Sequence, residues 1–479
     1  QAYSADDRIS NYIPRLYDGS NPLSGLVRAD QSDEFDLPRS LVNTYNRGFQ
    51  PRLGIAWDIF GDGKTALRMG FGRYMSRSNV IEDVLRLTGN PPWTTTVDTG
   101  WGGSAETATL RDCPTCRSLD TINPGLRGAV AGVGPNTGFS AVSEDFKPPE
   151  SWQWNLTVSR EILKNTVVEA SYVGNHGLHI WRRNINWNDV VPSARPAVAA
   201  ILRNGGDATS VINANRRLLG VGPITMSEST GDSSYHGLQL WLNRRFFNRL
   251  AFQAAYTWGH AISNVPLTSF TNSTSDPFNY DLDRGDADLD RRHTFVTNLV
   301  YVLPSFRSLG TLPSQILGDW QINGIYSYFG GTPIDVISSA NTAGVASAVN
   351  PRPDLVPGVP IYLHTGDPTQ FLNPLAFSLP AVGQFGNLGR GVIRGPAINN
   401  VDFSINKNWR LRERYGVQFR AEMFNALNHP NFNGISNNLA LGNNQNDPAN
   451  FRIATNRSFG TLNSTLSHRE IQFGLKFSF

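Results

Sequence analysis

The sequence predicts an all-β chain folded as an antiparallel transmembrane β-barrel, to which it contributes about eleven strands. Three observations carry this expectation. Runs of ~10 residues alternate apolar and polar, the period of a strand whose successive side chains point to opposite faces. Connections between the runs alternate between tight turns and long polar loops, far beyond the usual ~2–6 residues. The apolar faces carry Trp and Tyr near strand ends, as a membrane-interface girdle does, while the opposite faces carry Gln, Asn, Thr, Ser and Arg, as a wet lumen does.

Composition excludes the main competitors. The 479 residues are 39% hydrophobic but only 17% charged, against ~25% charged in ordinary globular chains. The surface is therefore polar without being ionic. No run approaches the ~18 consecutive apolar residues of a membrane helix, and neither a coiled coil nor a charge-driven disordered tail is present. The net charge is +3, and Lys occurs only at positions 64, 147, 164, 407 and 476. No basic cluster is interleaved with stacking aromatics, which argues against a nucleic-acid partner. A secreted sandwich or propeller would also alternate, but propellers keep a fixed period and sandwich strands are usually shorter.

Along the chain, residues 1–48 read as an extracellular loop or lead-in segment, and 49–479 as the C-terminal part of a barrel. The chain opens at Gln1 without a basic n-region or apolar h-region and reads as processed or truncated. Leu53/Ile55/Trp57/Ile59 and Leu67/Met69/Phe71 form the first two strands, joined at Gly61-Asp62-Gly63-Lys64, where Gly supplies the positive φ of a tight hairpin. Trp152, Trp154, Leu156 and Val158 share the apolar face of the third, and Gln153, Asn155, Thr157 and Ser159 the polar one. Leu163-Lys164-Asn165 turns it into Thr166 to Val173. Next come Leu238/Leu240/Leu242, a turn at Phe247-Asn248-Arg249, and Leu250/Phe252/Ala254/Tyr256/Trp258. Phe295/Thr297/Leu299/Tyr301/Leu303, Trp320/Ile322/Tyr326/Tyr328 and Val401/Phe403/Ile405 follow. A turn at 410–413 leads to Tyr415/Val417/Phe419/Ala421/Met423, and Ile471/Phe473/Leu475/Phe477/Phe479 ends the chain. The long connections fall at roughly 76–150, 181–234, 263–291, 331–398 and 427–467. Strict alternation puts the turns at one end of the sheet, in the periplasm, and the long loops at the other, outside the cell.

Several segments together resemble a known family. Trp152 to Asn175, reading WQWNLTVSREILKNTVVEASYVGN, Asp290-Arg291-Arg292-His293-Thr294-Phe295, and Gly386 to Asn406, reading GNLGRGVIRGPAINNVDFSIN, resemble TonB-dependent outer-membrane receptors, most of all the Oar-like branch. FRAEMFNALNH from Phe419 and the terminal HREIQFGLKFSF also fit the C-terminal barrel half of that branch. The resemblance implies a plug, a TonB box and a barrel of ~22 strands, in which this chain is about half. An open half-barrel would leave unpaired edges in lipid, so the remaining strands are expected from a longer polypeptide or a second chain.

Candidate site residues follow from the faces. Arg68, Gln153, Asn155, Gln239, Asn243, Gln253, Gln321, Asn323, Gln418, Arg420 and Glu422 would line the interior, where they either hold ligand or plug or form a structural wall network. Asp281, Asp283, Asp286, Asp288 and Asp290 form the densest acidic cluster, which could chelate Ca²⁺ through oxygen, although its spacing is not that of an EF-hand. The alternative is ion pairing with Arg284, Arg291 and Arg292, pinning the loop to the rim. Cys113 and Cys116 cannot complete a four-sulfur zinc site and read as a disulfide-tied loop in an oxidising compartment. Gly70-Phe71-Gly72 and the Gly386–Gly391 segment lack a following helix, so close backbone packing explains them better than phosphate binding. His176 and His179 could face each other across a turn, although rim histidines are the better reading, and Trp93, Trp101 and Trp187 could stack on a ligand or anchor loops.

No nucleophile elbow, HExxH motif or paired-carboxylate signature is present, so no enzyme is expected. The expectation is a TonB-dependent receptor importing a small-molecule or oligomeric nutrient across the bacterial outer membrane, partnered by outer-membrane lipid, plug, TonB and, in one arrangement, a surface lipoprotein. The alternatives are a surface-interaction protein that binds through its loops and a passive porin.

Overall fold

The computed structural model describes residues 8–76, 86–91, 136–266, 274–338, 341–346, 351–364, 366–411, 415–439 and 458–479. The alternating runs form strands β1 (Arg52–Asp58), β2 (Thr65–Met75), β3 (Glu150–Leu163), β4 (Thr166–Asn186), β5 (Ile224–Phe247), β6 (Leu250–Ser263), β7 (His293–Val302), β8 (Gln321–Phe329), β9 (Ile398–Leu411), β10 (Tyr415–Phe424) and β11 (Glu470–Ser478). Each pairs antiparallel with the next in sequence, giving one continuous meander from β1 to β11. All the expected strands are therefore present. Among the described residues neither β1 nor β11 has a second neighbour, so both remain edges.

The hairpins are tight for the reason read from the sequence. Asn165, Asn248 and Arg249 adopt positive φ at two of them. At the third the Asp58 carboxylate accepts hydrogen bonds from the backbone N–H of Gly61 at 3.1 Å and Gly63 at 2.8 Å. Of the fourth expected turn, 410–413, residues 412 and 413 lie outside the described residues.

Two departures matter. The alternation of short and long connections is not strict: β7 and β8 are joined at the turn end by residues 303–320, which carry helix α1 (Thr311–Leu317). The hairpin of β4 and β5 also runs well past its expected limits, so the connection between them is 187–223. The 24 residues of β5 exceed the ~9–11 that cross a membrane. Register shifts after Gly177 let the extension bend away from the regular ladder.

Buried side chains concentrate at the long-loop end. Ile9, Ile13, Val27, Leu41, Leu87 and Val142 form one cluster, and Val336, Leu372, Phe377, Leu388, Ile393 and Phe459 another. Residues Ser10–Tyr12 and Leu26–Arg28 pair as a small hairpin, fastened by Asn11, whose side-chain amide donates to the Leu41 and Val142 carbonyls and accepts from the Val142 N–H. The spanning part of the sheet is the inverse. Leu53, Trp57, Phe473 and Phe477 lie on its apolar face, each more than half exposed. A continuous apolar band of this kind is matched to lipid rather than water.

Candidate functional site

Directly paired residues of an antiparallel ladder lie on the same face, so the register traces each face across the sheet. Arg68 pairs with Thr157, and Thr157 with Ser171. Ser171 pairs with Gln239, and four positions further along Asn243 pairs with Gln253. Gln253 continues to Asn298, and two positions on Val300 pairs with Asn323. Gln321 pairs with Asn406, which pairs in turn with Arg420, while Glu422 pairs with Ser404 and Gln418 with Asn408. With Asn155 and Gln153 two and four positions from Thr157, all the interior candidates fall on one face, because the pairs that connect them contain no register shift.

Within that face the candidates separate into local groups. Gln153, Asn155 and Gln239 line a recess of about 640 Å³ with Arg52, Tyr74, Glu169 and Ser171, floored by Gly54, Gly70 and Gly72. Arg68 lies beside it, 3.7 Å from Glu169. Elsewhere the candidates bond to one another or to neighbours: Asn298 donates to Gln253 at 3.1 Å, Gln321 to Asn323 at 2.7 Å, Asn323 to Ser404 at 2.8 Å and Gln418 to Asn408 at 3.0 Å. Arg420 and Glu422 pair at 3.6 Å. Much of the wall thus satisfies itself, and the recess is where its groups and open space coincide.

At the long-loop end the acidic segment meets three arginines far away in sequence. Arg394 Nη2 binds both Asp286 and Asp290, the latter at 2.6 Å, and its Nη1 donates to the Asp290 carbonyl. Arg390, almost fully buried, binds Asp288 at 2.6 Å and donates to the carbonyls of Ser263 and Asp283. Arg352 pairs with Asp283 at 3.3 Å, and Thr274 and the Ser275 N–H also donate to that carboxylate. Arg292 reaches Asp286 at 3.0 Å and Asp290 at 3.2 Å. Four carboxylates therefore meet four guanidinium groups. Glycine permits the approach: a Cβ on Gly285 would lie 2.2 Å from the Arg390 carbonyl oxygen, and Gly391, at φ +65°, packs against the Asp286 backbone. Desolvation would raise the Asp286 carboxyl, but hydrogen bonds from His260 and Arg292 and the charges of Arg394 and Arg292 outweigh it and hold it below its ordinary range.

His260, Asp286 and Asp290 bring their ligand-type atoms within 4.8 Å of one another, the one such group among the described residues. Arg292 and Arg394 already neutralise these carboxylates, and Asp281 is exposed. The geometry is that of an ion-paired latch. Of the arginines expected to serve it, only Arg292 does so; Arg284 pairs with Asp232 and Arg291 donates to the Gly330 carbonyl.

A family model described as "Outer membrane beta barrel domain" matches residues 1–472. The chain belongs to that family. Its place is accordingly the bacterial outer membrane, and its fold the antiparallel transmembrane barrel expected from the strand pattern. No curated protein matches it in sequence. Among solved structures it is similar to the outer-membrane transporter YddB from Escherichia coli, at 12% identity and a TM-score of 0.45, covering 90% of this chain and 40% of that one. It is similar also to the FrpB iron transporter from Neisseria meningitidis, at 10% identity and a TM-score of 0.39, covering 90% of this chain and 39% of that one. The siderophore receptor PiuA from Acinetobacter baumannii shows 8% identity and a TM-score of 0.39, covering 89% and 35%. The barrel chain thus spans two fifths or less of the length of these proteins.

Other expected features of the barrel resolve differently. Cys113, Cys116, Trp93 and Trp101 lie outside the described residues. Trp187 is a packing anchor, with the Arg217 guanidinium 4.1 Å above its ring. His176 and His179 do not face each other across a turn, because both lie within β4, whose ladder continues past them. The Gly386 to Gly391 segment does serve close packing: a Cβ on Gly386 would lie 2.1 Å from the Arg352 carbonyl oxygen. Sequence reasoning missed Arg352, Arg390 and Arg394 as functional partners of the acidic loop. The signal was present in the four-residue spacing of Arg390 and Arg394 within a glycine-rich loop, read above only as part of a family motif.

Proposed function

We propose that this chain is the C-terminal part of a TonB-dependent outer-membrane receptor, of the Oar-like branch, that binds a nutrient at the cell surface and imports it. The observation that carries this reading is a face that is continuous in register across the sheet, rich in amide and hydroxyl groups and furnished with a recess. A wall of that kind suits hydrogen bonding to a solute or a plug. The motif resemblance supports the family branch. The edges β1 and β11 support a larger barrel, since lipid does not tolerate unpaired strand edges and further strands must complete the ladder. In this reading the tight turns are periplasmic, the long loops and residues 1–48 are extracellular, and the work is binding and passage rather than catalysis.

The test is energised uptake. Cells carrying the full-length protein should accumulate candidate siderophores, oligosaccharides or peptides only when TonB is functional. Accumulation independent of TonB, together with ion conductance in planar bilayers, would replace the receptor by a passive porin. Surface binding without accumulation would favour a loop-borne interaction protein.

A further inference from the structure

Among the described residues of the turn end, helix α1 is a feature that the barrel plan does not require. Its sequence, Thr-Leu-Pro-Ser-Gln-Ile-Leu, has no charged residue, and Leu312, Ile316 and Leu317 are 71%, 56% and 53% exposed. Leu312 and Ile316 are four residues apart, on one side of the helix. A water-exposed apolar stripe on a short uncapped helix is costly, and such a helix is marginal by itself.

The helix is nevertheless held in place from the apolar side of the sheet. The indole N–H of Trp320 donates to the Ile316 carbonyl at 2.8 Å, and that of Trp409 to the Gln315 carbonyl at 3.0 Å. Trp320 packs edge-on against both Trp409 and Phe419, which share the apolar face with Val417 and Phe477. Lys407 emerges on the same face, yet its ammonium is buried, donating to the Gly318 carbonyl and lying 5.7 Å from each of the two indole rings. On the opposite side Ser314 donates to the Ser305 carbonyl at 2.6 Å. Two C-terminal carbonyls of α1, those of Gln315 and Ile316, are thus satisfied by interfacial-type aromatic residues, and the exposed leucine and isoleucine side chains extend the apolar band past the end of the strands.

We propose that α1 is a membrane-interface anchor: it lies against the lipid leaflet at the turn end of the barrel, with Leu312, Ile316 and Leu317 inserted at the boundary between headgroups and acyl chains. The occupant of this surface is lipid because the stripe is continuous with the face already in contact with lipid. Tryptophans at the end of the apolar face, with apolar side chains exposed just beyond them, are the components of such a belt. The proposal uses only the family's barrel and its outer-membrane place, so it stands or falls separately from the transport reading.

The test places a fluorescent bimane on Leu312→Cys or Ile316→Cys in the full-length protein with Cys113 and Cys116 replaced by serine, reconstituted in phosphatidylcholine vesicles. Both positions are exposed, so the label displaces no packing. Leu475→Cys, on the apolar face, and Asp62→Cys, in a tight turn, are the lipid and water references. Brominated lipid should quench the labels at 312 and 316 to the degree seen at 475, and aqueous iodide should quench them several-fold less than at 62. Iodide quenching equal to that at 62 would place α1 in water and overturn the proposal. Shielding from both quenchers would mean that protein covers the stripe, and would overturn it equally.

Discussion

Replacing Arg394 by alanine should release the loop at the rim. Arg394 is the hub of the latch, binding Asp286 and Asp290 through one nitrogen and the Asp290 carbonyl through another. The Asp290 side chain is 1% exposed. Removing one partner of a buried pair costs about 3–5 kcal/mol, because the remaining charge is left uncompensated. Here Asp290 keeps Arg292 at 3.2 Å and the Ala261 N–H at 2.6 Å, and Arg394 is itself partly exposed, so about 2–3 kcal/mol is expected. At ~1.4 kcal/mol per decade this is a ~30–150-fold loss of protection. The assay is hydrogen exchange, read by mass spectrometry on peptides covering 285–292 and 390–395. Arg284→Ala is the control, since its pair with Asp232 is exposed at both partners and should be worth only ~0–1 kcal/mol. Asp290→Asn added to Arg394→Ala should recover part of the loss. Equal exchange in the Arg394 and Arg284 variants would refute the assignment of the latch.

Three further outcomes are expected. Gly285→Ala should destabilise the same region by about 1–3 kcal/mol through overpacking, because its Cβ meets the Arg390 backbone and not a side chain that could move; thermal proteolysis of the loop reads this. Acid should open the latch: the Asp286 carboxyl is depressed in the folded protein, so its stabilisation is complete above the unfolded value of ~3.9 and is lost as pH falls through the lower folded value. Exchange protection, corrected for intrinsic rate, should stay flat from about pH 7 to 5 and collapse below ~4; loss beginning near neutrality would point to another group. Leu475→Arg, on the apolar face opposite Phe419, should lower assembly into vesicles by up to ~2–4 kcal/mol, and Lys476→Ala, opposite Gln418, should not. Matching folding yields would count against the assignment of the two faces.

The amount legible from sequence differs sharply between the sheet and its ends. Every strand of the meander could be read because alternation with period two is local: Trp152 to Ser159 declares both of its faces within eight residues. The parity is then propagated by hairpins, whose Gly and Asn residues fix the register between neighbours. This is why candidates as distant as Arg68 and Glu422 share one face. The bend of β4 and β5 was not legible, since the register shifts after Gly177 interrupt the period used to read them.

What the sequence determined by itself was therefore the strands, their order, the sidedness of each and the membrane they suit. Tertiary structure alone decided the rest. An aspartate such as Asp290 has many arginines to choose from, and the partner it takes, Arg394, lies 104 residues away. That choice depends on loop paths and on the absence of a side chain at Gly285, neither of which a charge pattern encodes. Helix α1 is similar: its seven residues form too short a period to be read, and they acquire a face only from Trp320 and Trp409, which the folded sheet brings side by side.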